Sequence, residues 1–188
     1  MKALLRMLLV SSVAAAGLFA SGCGEVEDVR TIGETEGLYI DVNDLRYQVQ
    51  LSRVLNPSDP EDAEYLNQVP ESEQPAPGET WFGVFLRVQN TTDATAAATA
   101  REFEIVDTLE NTYEPLALPV SNLWAYRPTV LEPGGILPEP DSAQFSGPTR
   151  GALLLFKLSI DTLQNRPLEF EIHSPENPDE IGIIDLDV

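Results

Sequence analysis

The alternation of apolar and polar residues predicts a central β-strand in the stretch WFGVFLRVQN, from Trp81 to Asn90. One side of the period-two pattern carries four apolar residues, Phe82, Val84, Leu86 and Val88. The other side carries Trp81 and Phe85 among small or polar residues. We therefore expect a strand buried on one face and half-covered on the other. Such a strand needs neighbours along its edges and a second sheet over its face.

A second apolar run, GALLLFKLSI from Gly151 to Ile160, predicts the neighbour of that central strand. Its alternate positions form one apolar face, made of Ala152, Leu154, Phe156, Leu158 and Ile160. Leu153 and Leu155 lie on the opposite face. The two runs together predict that Val84, Leu86, Leu154 and Phe156 are buried.

Shorter alternating runs, separated by turn residues, predict the remaining strands. Residues 38–42 and 45–52 form a hairpin around Asn43-Asp44, with the apolar residues of 45–52 at odd positions. Further runs are centred on Phe103 and Ile105, on 113–118, on 168–172 and on 181–188. Seven to nine short strands of this kind predict an all-β fold, an immunoglobulin-like antiparallel β-sandwich spanning residues 38–188.

Two long loops interrupt the strands, at 56–79 and at 136–148. The first contains five prolines and seven acids, which excludes a central strand because proline lacks the ladder donor. We expect Tyr65 and Leu66 to fix the middle of this loop to the core. The segment 91–100 is interpreted as a third loop, and Trp124 with Tyr126 as an aromatic cover over one end of the sandwich.

The N-terminal residues 1–22 do not fit this pattern. Lys2 and Arg6 precede an apolar run from Met7 to Ala20 that is too short to span a bilayer comfortably. A basic start followed by a short apolar helix is typical of a signal peptide. The alternative, a buried N-terminal helix of the folded domain, is disfavoured because the segment differs so sharply from the rest.

The residues that follow, Ser21-Gly22-Cys23, resemble the lipobox of bacterial lipoproteins. That resemblance implies a diacylglycerol on the Cys23 thiol and cleavage between Gly22 and Cys23. Ala20 departs from the family pattern, in which leucine is commoner at that position. Cys23 is the single cysteine of the chain, so it forms no internal disulfide. The alternative is an ordinary signal peptide with an incidental cysteine.

Residues 23–37 are acidic and contain several glycines, and we interpret them as the lipidated cysteine followed by a flexible tether. The chain has 11 basic and 31 acidic residues, a net charge of −20. Removal of residues 1–22 takes away two basic residues and leaves −22. Such a surface repels nucleic acid and anionic headgroups, so the lipid must hold the domain at the membrane. Basic proteins, cations and cationic polymers stay open as partners.

Four features in order carry a family resemblance: Tyr47-Gln48-Val49, PAPGETWFGVFLRVQN from Pro75, FEIVDTLENTYEPL from Phe103, and LEPGG from Leu131 leading to LLLFKL. They resemble the telokin-like, immunoglobulin-fold extracellular domains of Gram-positive and actinobacterial lipoproteins, of the mycobacterial immunoprotective extracellular antigen type. The resemblance spans about residues 40–188. It implies an exported sandwich without an established enzyme activity.

Candidate chemistry is sparse. His173 is the sole histidine, and no GxSxG elbow accompanies it, so we predict no catalytic residues and no enzyme activity. With one histidine and one lipidated cysteine, we predict no zinc or copper site and no cofactor. Calcium needs only oxygen ligands, and Asp59, Glu61, Asp62 and Glu64 are dense enough to attract it. Their spacing matches no known calcium loop.

The expected function is a lipid-anchored, extracytoplasmic lipoprotein of the bacterial cell surface with a non-catalytic binding or accessory role. Its partners are the membrane, through Cys23, and an envelope protein, not nucleic acid. The alternative is a protein that binds a small ligand or a cation such as calcium in its long loops. A secreted hydrolase is a remote third interpretation.

Overall fold

The computed structural model describes residues 30–188. The predicted signal peptide and the residues Gly22 and Cys23 therefore lie outside the described residues. Residues 30–188 form twelve strands: β1 (Ile32–Gly33), β2 (Ile40–Val42), β3 (Leu45–Leu55), β4 (Glu79–Gln89), β5 (Ala97–Ala98), β6 (Glu102–Val106), β7 (Thr112–Tyr113), β8 (Val130–Leu131), β9 (Ile136–Leu137), β10 (Ala152–Ser159), β11 (Leu168–His173) and β12 (Ile181–Leu186). Two short α-helices, α1 (Pro60–Tyr65) and α2 (Ala143–Ser146), and 3₁₀ turns at Glu71–Glu73 and Thr162–Gln164 complete the secondary structure of this range.

Two sheets pack face to face in an antiparallel β-sandwich, which confirms the predicted fold class. Sheet A has the order β1-β12-β11-β6-β7, and sheet B has the order β10-β4-β3-β2, with β9 also paired to β4. Strands β5 and β8 form a separate pair. All pairs are antiparallel except β1 with β12. Of the twelve strands, five have only two residues, which is too short for periodicity to reveal.

Strand β4 lies inside sheet B, between β3 and β10. Phe82, Val84, Leu86 and Val88 are fully buried between the sheets, and Leu154 and Phe156 of β10 are buried beside them. The opposite face of β4 is buried at Trp81 and Phe85, which belong to a second apolar cluster, and half-buried at Arg87 and Gln89. This agrees with the predicted half-covered outer face.

The hairpin of β2 and β3 turns at Asn43-Asp44, as predicted, with positive φ at both residues. The alternation of β3 is not strict, however. A β-bulge interrupts the register between Val49 and Leu51, so Leu51 is exposed and Ser52 is buried. One inserted residue shifts every later side chain to the other face. Ile160, placed on the apolar face by the sequence, lies beyond the end of β10 and is exposed.

The structure differs from the sequence analysis at the N-terminal boundary of the domain and in the two long loops. The segment 30–37, predicted to be tether, packs on the domain: β1 pairs with β12, and the Gly37 N–H donates to the Val49 carbonyl at 2.9 Å. The 56–79 loop contains α1 and a 3₁₀ turn, and the 136–148 loop contains β9 and α2. The proline and acid content of these loops predicted no regular structure, and the elements are too short to show a periodic pattern.

Candidate functional site

The 56–79 loop is fixed to the outer face of sheet B by Tyr65, as the sequence predicted. The Tyr65 side chain is fully buried. Its ring makes edge contacts with Phe85, at 5.1 Å between centroids, and with Trp124, at 4.9 Å. The side-chain amide of Asn122 donates to the Tyr65 carbonyl at 2.9 Å. These contacts pack the 56–79 loop directly against the Trp124 segment. A ligand pocket between the two would have favoured the small-ligand alternative.

Three acids of the proposed calcium loop serve the loop's own structure. Asp59 caps α1 by accepting from the Glu61 and Asp62 N–H groups. Asp62 is buried and pairs with Arg53 at 2.5 Å. Burial opposes ionisation of Asp62, but hydrogen bonds from Arg53 and the Asn56 N–H outweigh it and lower the pKa of the carboxyl.

The third acid, Glu61, accepts from the Tyr65 hydroxyl at 2.9 Å and from the Thr149 hydroxyl at 3.1 Å. Glu64 is exposed. The arrangement therefore uses most of these carboxylates for capping and pairing, which leaves few free oxygens for an ion.

The Trp124–Tyr126 segment was predicted to cover one end of the sandwich, but its side chains contact two different apolar clusters. Trp124 packs with the cluster on the outer face of sheet B, and Ala125 bridges to Leu153. Tyr126 instead reaches the core between the sheets, where its ring lies 5.1 Å from Phe103.

A separate group of side chains that could bind a metal ion lies on the outer face of sheet A. Glu104 of β6 stands directly opposite Glu171 of β11, and His173 follows two residues along β11 on the same face. One donor atom from each of these three residues lies within 4.8 Å of the other two. All three residues are half-buried. Sequence analysis singled out His173 but neither carboxylate, because only the pairing register of β6 and β11 brings Glu104 to this group.

The polar contacts of this group are incomplete. The His173 Nε2 atom is 3.6 Å from a Glu171 carboxylate oxygen, and it is buried without a hydrogen-bond partner. A distance of 3.6 Å is too long for a hydrogen bond. Across residues 30–188, no lysine or arginine pairs with Glu104 or Glu171. Like charges directly opposite each other in a ladder are destabilising, so the pair stores repulsion that a cation would relieve.

A cavity of about 490 Å³ opens beside His173. Its wall is formed by Ala98, Arg101, Glu102, His173, Ser174, Pro175, Glu176 and Pro178. The size is that of a small-molecule pocket, and the wall mixes both signs of charge. The Ser174 hydroxyl oxygen accepts from the Asn177 N–H at 3.3 Å, so it belongs to a turn. The cavity and the donor group share His173.

Comparison with known proteins supports the fold alone. No family model matches this chain, and no curated protein does. The crystal structure of the yjhA protein from Bacillus subtilis is similar, with a TM-score of 0.54 and 10% identity over 82% of this chain and 99% of that one. An uncharacterized β-sandwich protein from Clostridium difficile 630 aligns with a TM-score of 0.42 and 10% identity, over 81% of this chain and 93% of that one. The two packed sheets of the described residues themselves define the class, a β-sandwich. In the described residues, no helix is long and apolar enough to cross a membrane.

Proposed function

We propose that this chain is a lipid-anchored, extracytoplasmic lipoprotein whose β-sandwich has a non-catalytic binding or accessory role at the cell envelope. The observation that carries the proposal is the sequence Ser21-Gly22-Cys23 directly after a short apolar segment with a basic start. A diacylglyceryl cysteine carries two acyl chains, which anchor a protein where one chain binds only marginally. The finer assignment to a telokin-like, immunoglobulin-fold domain belongs to the same proposal.

The position of the folded domain supports a role close to the membrane. The described residues begin at Arg30, seven residues after Cys23, and β1 starts at Ile32. Seven residues span at most about 25 Å when fully extended. A lipid on Cys23 would therefore keep the edge of sheet A next to the bilayer, and not at the end of a long tether.

The surface chemistry supports binding and not catalysis. The outer face of sheet A presents five acids on three adjacent strands: Glu102, Glu104, Glu169, Glu171 and Asp185. The sole histidine lies among these carboxylates, and among the described residues its Nε2 atom has no serine hydroxyl as a partner. A face of this kind suits a basic envelope protein or a cation. The cation alternative is favoured by one specific observation, the grouping of Glu104, Glu171 and His173.

The lipid anchor is tested by expressing the full chain in a bacterial host with wild-type and Cys23→Ser sequences. Wild-type protein should enter the detergent phase and carry a mass increment of a diacylglyceryl group on Cys23. The Cys23→Ser protein should stay in the aqueous phase without that increment. Ser21→Ala is the matched control, because it keeps a small residue before the cysteine and should remain lipidated. Unchanged partitioning of Cys23→Ser, with a wild-type mass lacking acyl chains, would refute the anchor.

A further inference from the structure

We propose that Glu104, Glu171 and His173 form a site for one divalent transition-metal ion, with zinc as its best probe. The inference deepens the cation-binding alternative and does not depend on the lipid anchor. Its ligands are one imidazole nitrogen and two carboxylate oxygens, contributed by the neighbouring strands β6 and β11.

The spacing of the donor atoms fits an ion between them. Zinc bonds to histidine nitrogen and carboxylate oxygen are about 2.0–2.2 Å long, which places two ligands of a tetrahedral site about 3.3–3.6 Å apart. The His173 Nε2 atom and the nearest Glu171 oxygen are 3.6 Å apart, and all three donors lie within 4.8 Å. The 3.6 Å separation is thus too long for a direct hydrogen bond and close to the ligand–ligand distance of a tetrahedral zinc site.

An independent observation concerns the histidine itself. Its Nε2 atom is inaccessible to solvent and has no hydrogen-bond partner. A buried polar atom without a partner costs free energy, so such an atom in a folded protein calls for an explanation. Coordination to a metal would supply the missing partner, and it would remove the repulsion between Glu104 and Glu171 at the same time.

The donor set selects the kind of ion. Calcium and magnesium prefer sites made only of oxygen atoms, whereas an imidazole favours zinc, copper, iron or nickel. Three protein ligands leave one tetrahedral position for water or another ligand, as in open zinc sites and unlike closed structural ones. All three side chains are half-buried, so the proposed site lies at the surface of sheet A.

The same face of β11 provides a matched control. Glu169 lies opposite Asp185 of β12, so it too belongs to a pair of facing carboxylates. It lies two residues from Glu171 on the same face and is not part of the three-donor group. Neutralising Glu169 therefore changes the charge of the face as much as neutralising Glu171 does, but leaves the proposed ligands intact.

The test is a zinc titration of the full, untagged chain carrying Cys23→Ser, which removes the thiol as a competing ligand. Calorimetry should show saturable binding of one zinc ion per chain. His173→Ala and Glu171→Gln should each weaken binding by about tenfold or more, whereas Glu169→Gln should leave it within about twofold. His173→Asn serves as a second variant if His173→Ala fails to fold, and thermal unfolding without metal verifies each fold.

A second readout uses the fact that His173 is the only histidine. Its imidazole signals in an NMR spectrum are unambiguous, and one equivalent of zinc should shift or broaden them. Calcium at the same concentration should leave them in place. Absence of saturable zinc binding, or an equal loss in Glu169→Gln and Glu171→Gln, would overturn the proposal, because the latter result indicates diffuse binding to an acidic face. Neither outcome affects the lipid-anchor test.

Discussion

The hydroxyl groups of Tyr47 and Tyr126 both hydrogen-bond to the backbone of one residue, Ala100. The Ala100 N–H donates to the Tyr47 hydroxyl at 2.8 Å, and the Tyr126 hydroxyl donates to the Ala100 carbonyl at 2.8 Å. Burial raises the pKa of both tyrosines, so both hydroxyls stay neutral at ordinary pH. Tyr47 belongs to sheet B, while Ala100 leads into β6 of sheet A, so these bonds link the two sheets.

Replacing Tyr126 by phenylalanine removes the hydrogen bond to the Ala100 carbonyl and keeps the ring. A buried carbonyl left without its partner costs about 1–3 kcal/mol. We therefore expect Tyr126→Phe to lower the free energy of unfolding by that amount in a urea titration. Tyr39→Phe, at an exposed position, is the control and should be nearly neutral. A Tyr126→Phe midpoint equal to that of Tyr39→Phe would show that the Ala100 contact contributes nothing.

Leu86 tests the central role of β4. It is fully buried in the main core, so Leu86→Ala should lower the free energy of unfolding by about 2–5 kcal/mol. Leu51→Ala makes the same chemical change at a position that the β3 bulge exposes, and it should cost about 0.5 kcal/mol or less. Equal thermal midpoints for the two variants would contradict the assignment of the core.

Asp107 links stability to pH. It accepts hydrogen bonds from the Asn111 side chain and N–H, the Asn165 side chain and the Leu109 N–H. Burial opposes ionisation, but these donors outweigh it and lower the pKa of Asp107 to about 2, from an ordinary value of 3.8.

Because the folded pKa is the lower one, the unfolded chain binds more protons between these values, and stability falls as the pH drops from about 4 to about 2. Asp107→Asn cannot ionise, so its unfolding free energy should fall less than that of the wild type over this window. Glu110→Gln, an exposed acid in the same hairpin, should keep the wild-type pH profile. Parallel profiles for wild type and Asp107→Asn, in denaturant titrations from pH 2 to pH 5, would rule out this linkage.

A calcium titration tests whether the 56–79 loop is a cation site. Because Asp59 caps α1, Glu61 accepts from Tyr65 and Asp62 pairs with Arg53 of β3, we expect no stoichiometric heat at this loop when calcium is added at near-physiological ionic strength. Amide substitutions of Asp59, Glu61, Asp62 and Glu64 should leave the titration unchanged. A saturable heat that these substitutions abolish would make the loop a binding site. A heat that they preserve would place calcium binding outside this loop.

The long alternating runs were readable from sequence because they depend on local physics. Side chains alternate across a strand, so the buried residues of β4, β10 and β11 followed from position alone. The turn at Asn43-Asp44 was also readable from local sequence, since short polar side chains favour turns. The bulge in β3 was not readable, because it adjusts the register against β4 without a marker in the local sequence.

The candidate metal site shows what only the tertiary structure decided. The sequence alone determined an acidic chain with one cysteine and one histidine, and it predicted a sandwich of short strands. Glu104 and Glu171 are 67 positions apart, and nothing within either strand specifies its partner. Pairing of β6 with β11 in one register, and not one residue away, brings both carboxylates and His173 to the same face. That register depends on the packing of Phe103, Ile105, Phe170 and Ile172 in the core, a property of the assembled sheets.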